Sequence, residues 1–282
     1  MAQPLIEPIN AEALPEFAAF LNANLDPSRS TEAWITGLQQ SWGMAAPNHG
    51  FMLKDNGKIV GGIGAYYASR IINGKRENTC NITSWCVLDA YRKQSMRLAM
   101  AVVGQKGFHF TDFSPTKVVG GVLQFLKFRP LDERQAVILN LPLPSFGSRL
   151  VSRFTEIEAN LTGTALQIFR DHAVFPWLNQ LLIGTEGNWC HVIYKRVTFK
   201  RLPAAQILYL SDRVVFDRHF RRLSSHFLLS GLISTHVECR FLMKTPWPSA
   251  IRSGFNAKVY LSPTLTDQDI DYLYSETMAL DL

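Results

Sequence analysis

The sequence predicts a mixed α/β protein: a largely antiparallel sheet with flanking helices. Three observations lead there. Asn56-Gly57 and Asn73-Gly74 each separate runs of β-forming residues, and Asn-Gly is the strongest short-range hairpin signal because the tight turn demands φ > 0. After Leu88 the period changes, with Met96, Ala99, Met100 and Val103 recurring at helical spacing. The order strand, turn, helix, strand at 82–111 returns at 207–241.

Taken in order, Leu14, Phe17, Leu21 and Leu25 mark a first helix. Ser30 or Thr31 caps a second, carrying Trp34, Leu38 and Trp42. Phe51 to Lys54 and Lys58 to Ser69 form the first hairpin, and Asn73-Gly74 leads into a third strand, Thr79 to Leu88. The glycine-rich run Gly61 to Tyr67 lacks a following helix and is not a nucleotide loop. Asp89-Ala90 ends the third strand, and a helix runs from Arg92 until Gly104 and Gly107 stop it. Phe108 to Thr111 resumes as strand. Ser114-Pro115 reads as an N-cap with proline at the first helical position, opening a helix through about Leu126.

The junction after Leu88 carries the chemistry. A strand feeding a helix leaves orphan N–H groups with the positive end of the dipole behind them, which is an anion site. Arg92, Lys93 and Arg97 add cations there. A solvated basic first turn of an ordinary helix explains the same residues.

The order of elements here resembles the GNAT (acyl-CoA N-acyltransferase) superfamily, whose strand, pyrophosphate loop and helix read roughly V-x-P-x-Y-R-G-x-G-x-G. Val87, Asp89, Tyr91 and Arg92 match that frame, and Phe113-Ser114 with Leu126-Lys127-Phe128 resembles the later signature ending in Gly-Phe. Loop glycines of the family correspond to Ser95 and Arg97, and the glycine before Phe128 to Lys127. An arginine at 97 is long enough to reach phosphate and bulky enough to plug the cleft.

What the resemblance implies is an acyltransferase. The donor, acetyl-CoA or another acyl-CoA, would lie along Val87, Leu88, Arg92, Lys93, Gln94, Ser95, Met96 and Arg97, with acyl carrier protein as an alternative carrier. The acceptor would be an amino group on a small molecule or amino sugar, approached past the opening helices. The expected backbone donors to the thioester carbonyl lie at Cys86 to Leu88. The family's tyrosine acid falls on Leu123, so Cys86, Asp112 and Ser114 are the catalytic candidates, with Ser84 and His109 nearby. A non-catalytic GNAT-like binding module is the alternative.

The later chain fits a second, degenerate half. Asn140 opens NLPLPSFGSR, a linker-like stretch, so the expected division is 1–140 and 141–282. Thr162 to Phe169 reads as helix, Trp189 to Thr198 and Gln206 to Leu210 as strands. A helix with Phe216, Phe220, Leu223 and Phe227 on one face stops at Gly231, and Val237, Cys239 and Phe241 alternate as strand. Its turn, Asp212 to Phe216, holds no glycine. Thr266 to Asp269 opens a last helix to about Ala279, whose acidic residues read as cap and solvated face.

Composition bounds the rest. The 282 residues are 47% hydrophobic and 18% charged, which supplies core and excludes the disordered class. A net charge of +6 favours anionic partners such as phosphorylated cofactors, but the basic residues are scattered, so no nucleic-acid partner is expected. Cys80, Cys86, Cys190 and Cys239 form no C-x-x-C pair and read as reduced thiols of a cytoplasmic protein. The N-terminus lacks a signal-peptide pattern, and no apolar run reaches membrane-spanning length. His219 and His226 share a helix face without a third ligand, and Cys190 and His191 point to opposite faces of a strand, so no metal is expected.

Overall fold

In the computed structural model, which describes residues 3–281, both Asn-Gly pairs turn hairpins. Asn56 and Gly57 have φ of 50° and 78°, Asn73 and Gly74 of 52° and 77°, the paired positive values of a type I′ turn. The chain divides into two units.

The first unit begins with β1 (Leu5–Pro8), α1 (Leu14–Asn24) and α2 (Thr31–Leu38). Ser30 Oγ caps α2 by accepting from the Ala33 amide at 3.2 Å. Trp42, expected on that helix, instead lies in a short strand β2 (Ser41–Trp42) beside the long hairpin, because α2 ends at Leu38. Then come β3 (Gly50–Asp55), β4 (Lys58–Ile72) and β5 (Lys75–Val87), all antiparallel. The run Gly61 to Tyr67 is strand, and its glycine content has a steric cause: a Cβ on Gly62 would meet the Phe17 ring of α1 at 2.3 Å. A 3₁₀ turn (Asp89–Gln94) takes the place of the expected first helical turn, so α3 starts at Ser95 and ends at Val103. β6 (His109–Asp112) returns parallel to β5. The next cap is Thr116, not Ser114: its side chain accepts from the Val119 amide, and α4 spans Lys117–Phe125, followed by β7 (Arg129–Pro130). Leu98 and Val102 of α3 and Leu123 of α4 close over Leu53, Ile63 and Ile82.

The second unit holds β8 (Gln135–Leu139), β9 (Arg149–Val151), α5 (Phe154–Asn160) and α6 (Gly163–Ala173). It continues with β10 (Leu178–Thr185), β11 (Asn188–Phe199), β12 (Leu202–Leu210), α7 (Arg213–Leu229), β13 (Ser234–Glu238) and β14 (Ser249–Arg252). β13 is shorter than expected, since Cys239–Phe241 turn into a 3₁₀ helix. Here the first unit's logic recurs. Three antiparallel strands, β10–β11–β12, pass through one helix into a parallel neighbour, β13. Each parallel pairing is three residues long, Thr79 to Asn81 in one unit and Ala204 to Gln206 in the other.

The division departs from the expected 140/141 boundary. The first unit ends at Leu131, then takes up Asn256–Asp269 and the chain from Tyr274 onward, while the second takes Asp132–Phe255 and Ile270–Leu273. The linker-like stretch lies within the second unit and is anchored there by Asn140, which is buried; its Oδ1 accepts from Thr235 Oγ1 at 2.7 Å, and its Nδ2 donates to the Leu232 carbonyl at 2.8 Å. Late in the chain β15 (Val259–Leu261) inserts between β6 and β7. The expected last helix is only a 3₁₀ turn (Asp267–Asp269) and the short α8 (Glu276–Ala279).

Candidate active site

The site forms where the first sheet opens. Parallel pairing of β5 with β6 stops at Asn81↔Thr111, yet β5 runs on to Val87, paired there among the described residues with β4 alone. A bulge marks the start of this open stretch: Gly62 faces Cys86 but Gly64 faces Thr83, and Ser84 takes φ of 48°. The Leu88 amide donates to the Val60 carbonyl at 3.0 Å, so of the expected backbone donors Leu88 is committed to the sheet. Alternation along the strand turns the Val87 N–H to the open edge.

Along that edge runs a groove of about 740 Å³. Cys86, Val87, Leu88, Asp89, Arg92, Lys93, Ser95 and Met96 line it. The Arg92 guanidinium reaches Asp89 Oδ1 at 2.7 Å, and both side chains are exposed. Arg97 and Gln94, expected in the donor set, are elsewhere: Arg97 Nη1 donates to the Pro4 carbonyl at 3.0 Å and to Gln94 Oε1 at 3.1 Å. Arg97 therefore neither reaches into the groove nor plugs it. Among the described residues no side chain caps the α3 terminus, whereas in the second unit Asp212 Oδ1 accepts the Val215 amide at 2.8 Å, setting a fixed carboxylate at the start of α7. Burial raises the half-buried Cys86 thiol, which points its Sγ at the Asn24 carbonyl 3.6 Å away and stays protonated.

A second cavity, about 160 Å³, adjoins the groove through Trp85, Thr116 and Val119, which line both. Asp112 and Ser114 line it too, and a fully buried carboxyl stands behind them: Glu276, at the start of α8. Glu276 Oε1 accepts from the Phe113 amide and from Ser114 Oγ, both at 3.2 Å, and its own amide donates to Asn81 Oδ1 at 2.9 Å. Asp112 Oδ1 accepts from the Ser114 amide at 3.1 Å. Burial, and next the charge of Glu276, push Asp112 well above the carboxylate range. Burial pushes Glu276 up to about 7. Two carboxyls so placed share less than two negative charges at neutral pH. Among the described residues, Glu276 Oε2, the Tyr66 hydroxyl and the indole N–H groups of Trp34 and Trp85 are buried without a hydrogen-bond partner.

Of the three expected catalytic residues, Asp112 and Ser114 thus meet in the cavity, and Cys86 lies in the groove beside it. Glu276, one of the late acidic residues expected on a cap or solvated face, is instead fully buried; between Ser275 and Thr277 it carries no local signal of that burial. Leu123 is fully buried in the core, so no proton donor stands there. His109 bonds to Ser262 Oγ at 2.8 Å and Glu77 Oε2 at 3.0 Å, a tie between strand and loop. Glu238, at the end of β13 as Asp112 is at the end of β6, accepts from Arg240 Nε at 2.6 Å and from the Tyr272 hydroxyl. Among the described residues no His, Cys, Asp and Glu cluster suits a metal, and no helix is long and apolar enough to cross a membrane.

No protein-family model matches the sequence, and no curated protein matches it. Solved structures do match in shape. The chain is similar to a GCN5-related N-acetyltransferase from Anabaena variabilis, with TM-score 0.63 and 11% identity over 92% of this chain and 72% of that one. A GCN5-related N-acetyltransferase from Kribbella flavida gives TM-score 0.57 and 11% identity over 91% and 70%. Eis1 from Mycobacterium abscessus gives TM-score 0.52 and 12% identity over 91% and 73%. At such identities the likeness is one of fold.

Proposed function

We propose that this chain, which has the acyl-CoA N-acyltransferase fold, moves an acyl group from an acyl-CoA to the amino group of a small molecule. One observation carries the reading: the open edge of β5 beyond Asn81 has the groove with Arg92 and Lys93 on one side of Trp85 and the carboxyl-floored cavity on the other. Phosphates would lie against Arg92 and Lys93, which line the groove. The thioester would cross at Val87, whose N–H donates to the carbonyl oxygen and to the oxyanion that develops from it.

The amine enters from the cavity side. Its nitrogen lone pair forms the C–N bond, and the C–S pair departs on the thiolate of CoA. The surplus ammonium proton passes to Asp112, a carboxyl whose affinity for protons is raised by burial and by the charge of Glu276. Glu276 modulates that affinity by charge, and Ser114 fixes Glu276. A thiolate leaves without obligatory protonation, so an empty acid slot at Leu123 slows nothing essential; the protonated Cys86 thiol lines the groove and is one group there able to supply a proton.

A second reading, a non-catalytic GNAT-like module, draws on the Arg92–Asp89 pair and on Leu123, since both depart from a dedicated donor and acid. Thermal shift with CoA is the first experiment. At a hundredfold excess over Kd, binding to the folded state adds about 2.7 kcal/mol, a rise of several degrees. Unchanged melting at millimolar CoA would contradict the acyl-transfer reading and leave only the module.

A further inference from the structure

Apolar and aromatic side chains make up just over half of the lining of the cavity beyond Trp85. Six of its eleven lining residues, Leu25, Trp34, Trp85, Pro115, Val119 and Leu280, are apolar or aromatic; Thr83, Ser84, Ser114 and Thr116 add hydroxyls, and its ionisable group is Asp112. Its volume, about 160 Å³, is close to the roughly 150 Å³ of an apolar protein cavity that takes up benzene. Arg29 lies over the Trp34 ring at 5.1 Å and donates to the Asp281 carbonyl, so that wall is braced from behind. Asp112 makes its one hydrogen bond through Oδ1, and no hydrogen bond to Oδ2 occurs among the described residues.

From this geometry we infer that the acceptor is a primary amine on a compact apolar body, an aryl or branched alkyl group of about benzene size, with its nitrogen at Asp112 and its body between Trp34 and Trp85. The inference rests on the acyl-transfer reading and narrows it. A hydroxyl-rich ring would bury several polar groups where the wall hydroxyls of Thr83, Ser84, Ser114 and Thr116 already bond within the protein, each group left unpaired costing about 1–3 kcal/mol. An apolar body instead displaces water from indole and aliphatic surface. Its ammonium gains a charge-assisted bond to a desolvated carboxylate, and the walls exclude water from that bond.

Binding is measured by titration calorimetry, with and without saturating CoA, using benzylamine, benzyl alcohol of the same shape, and glucosamine. Benzylamine is expected to bind, with benzyl alcohol at least about ten-fold weaker for want of the charge. Glucosamine should be weakest. Asp112→Asn should weaken benzylamine by about ten-fold or more. Leu25→Trp, at a half-exposed position on the rim, should weaken it by filling the cavity without disturbing the core. Tighter binding of glucosamine than benzylamine overturns the inference, as does benzylamine affinity indifferent to both substitutions. The two readings fail separately. Acylation of amino sugars with no binding of benzylamine sinks this inference and keeps acyl transfer. Asp112-dependent benzylamine binding with no consumption of acyl-CoA does the reverse.

Discussion

The Glu276 backbone amide donates to Asn81 Oδ1 at 2.9 Å, and Asn81 is the last residue at which β5 and β6 are paired. The bond pins α8 where the sheet opens and brings a second carboxyl to Asp112. In the folded protein burial raises Glu276 from an ordinary 4.5 to about 7, so folding takes up a proton between those values. Its stability contribution is full below about 4.5 and is lost as pH climbs through about 7. The melting temperature of the wild type should fall between about pH 5 and about pH 8, and Glu276→Gln should flatten that fall. The same substitution removes a charge that raises Asp112, so the acidic limb of kcat/KM should move to lower pH. A limb that stays in place would show that the two carboxyls are not linked in turnover.

Arg92 and Arg97 should separate cleanly. Arg92 lines the groove and is held only by an exposed partner, so Arg92→Ala should weaken CoA binding about ten-fold. Arg97 is tied to Pro4, so Arg97→Ala should leave CoA affinity unchanged and lower the melting temperature. Equal losses of affinity in a binding titration would place both side chains on the donor.

Lys127 stands where a glycine is favoured. Its φ is 72°, and the Phe128 amide donates to Leu123 and the Lys127 amide to Gln124, the bond pair of a helix-ending motif with a left-handed residue at its centre. The left-handed conformation costs a residue with a Cβ about 1–2 kcal/mol, partly offset by the greater freedom of glycine in the unfolded chain. Lys127→Gly should therefore raise stability by up to about 1 kcal/mol in denaturant unfolding. A loss would mean the lysine stem packs usefully.

What the sequence revealed is what local chemistry encodes. Asn-Gly turns, the period change after Leu88 and the recurrence at 207–241 depend on neighbours in sequence, and the hairpins and crossovers follow them. Glu276 was invisible because its partner Asn81 lies 195 positions away, and a lone acid after a turn reads the same solvated or buried. Arg97 misled for a like reason: the Pro4 carbonyl that claims it is 93 positions away. β15 is three residues long, too short to carry a period of its own, and the unit boundary went astray with it.

Acyl transfer at the open edge of β5 is tested most directly by following thiol release from acetyl-CoA and longer acyl-CoAs across a panel of amines, in the wild type and in Asp112→Asn. Amine-dependent thiol release by the wild type, about a hundredfold or more slower in Asp112→Asn while CoA still stabilises both proteins, is the predicted result, given the usual contribution of a general base. Absence of amine-dependent release with every donor, from a protein that binds CoA, would contradict it and leave a binding module.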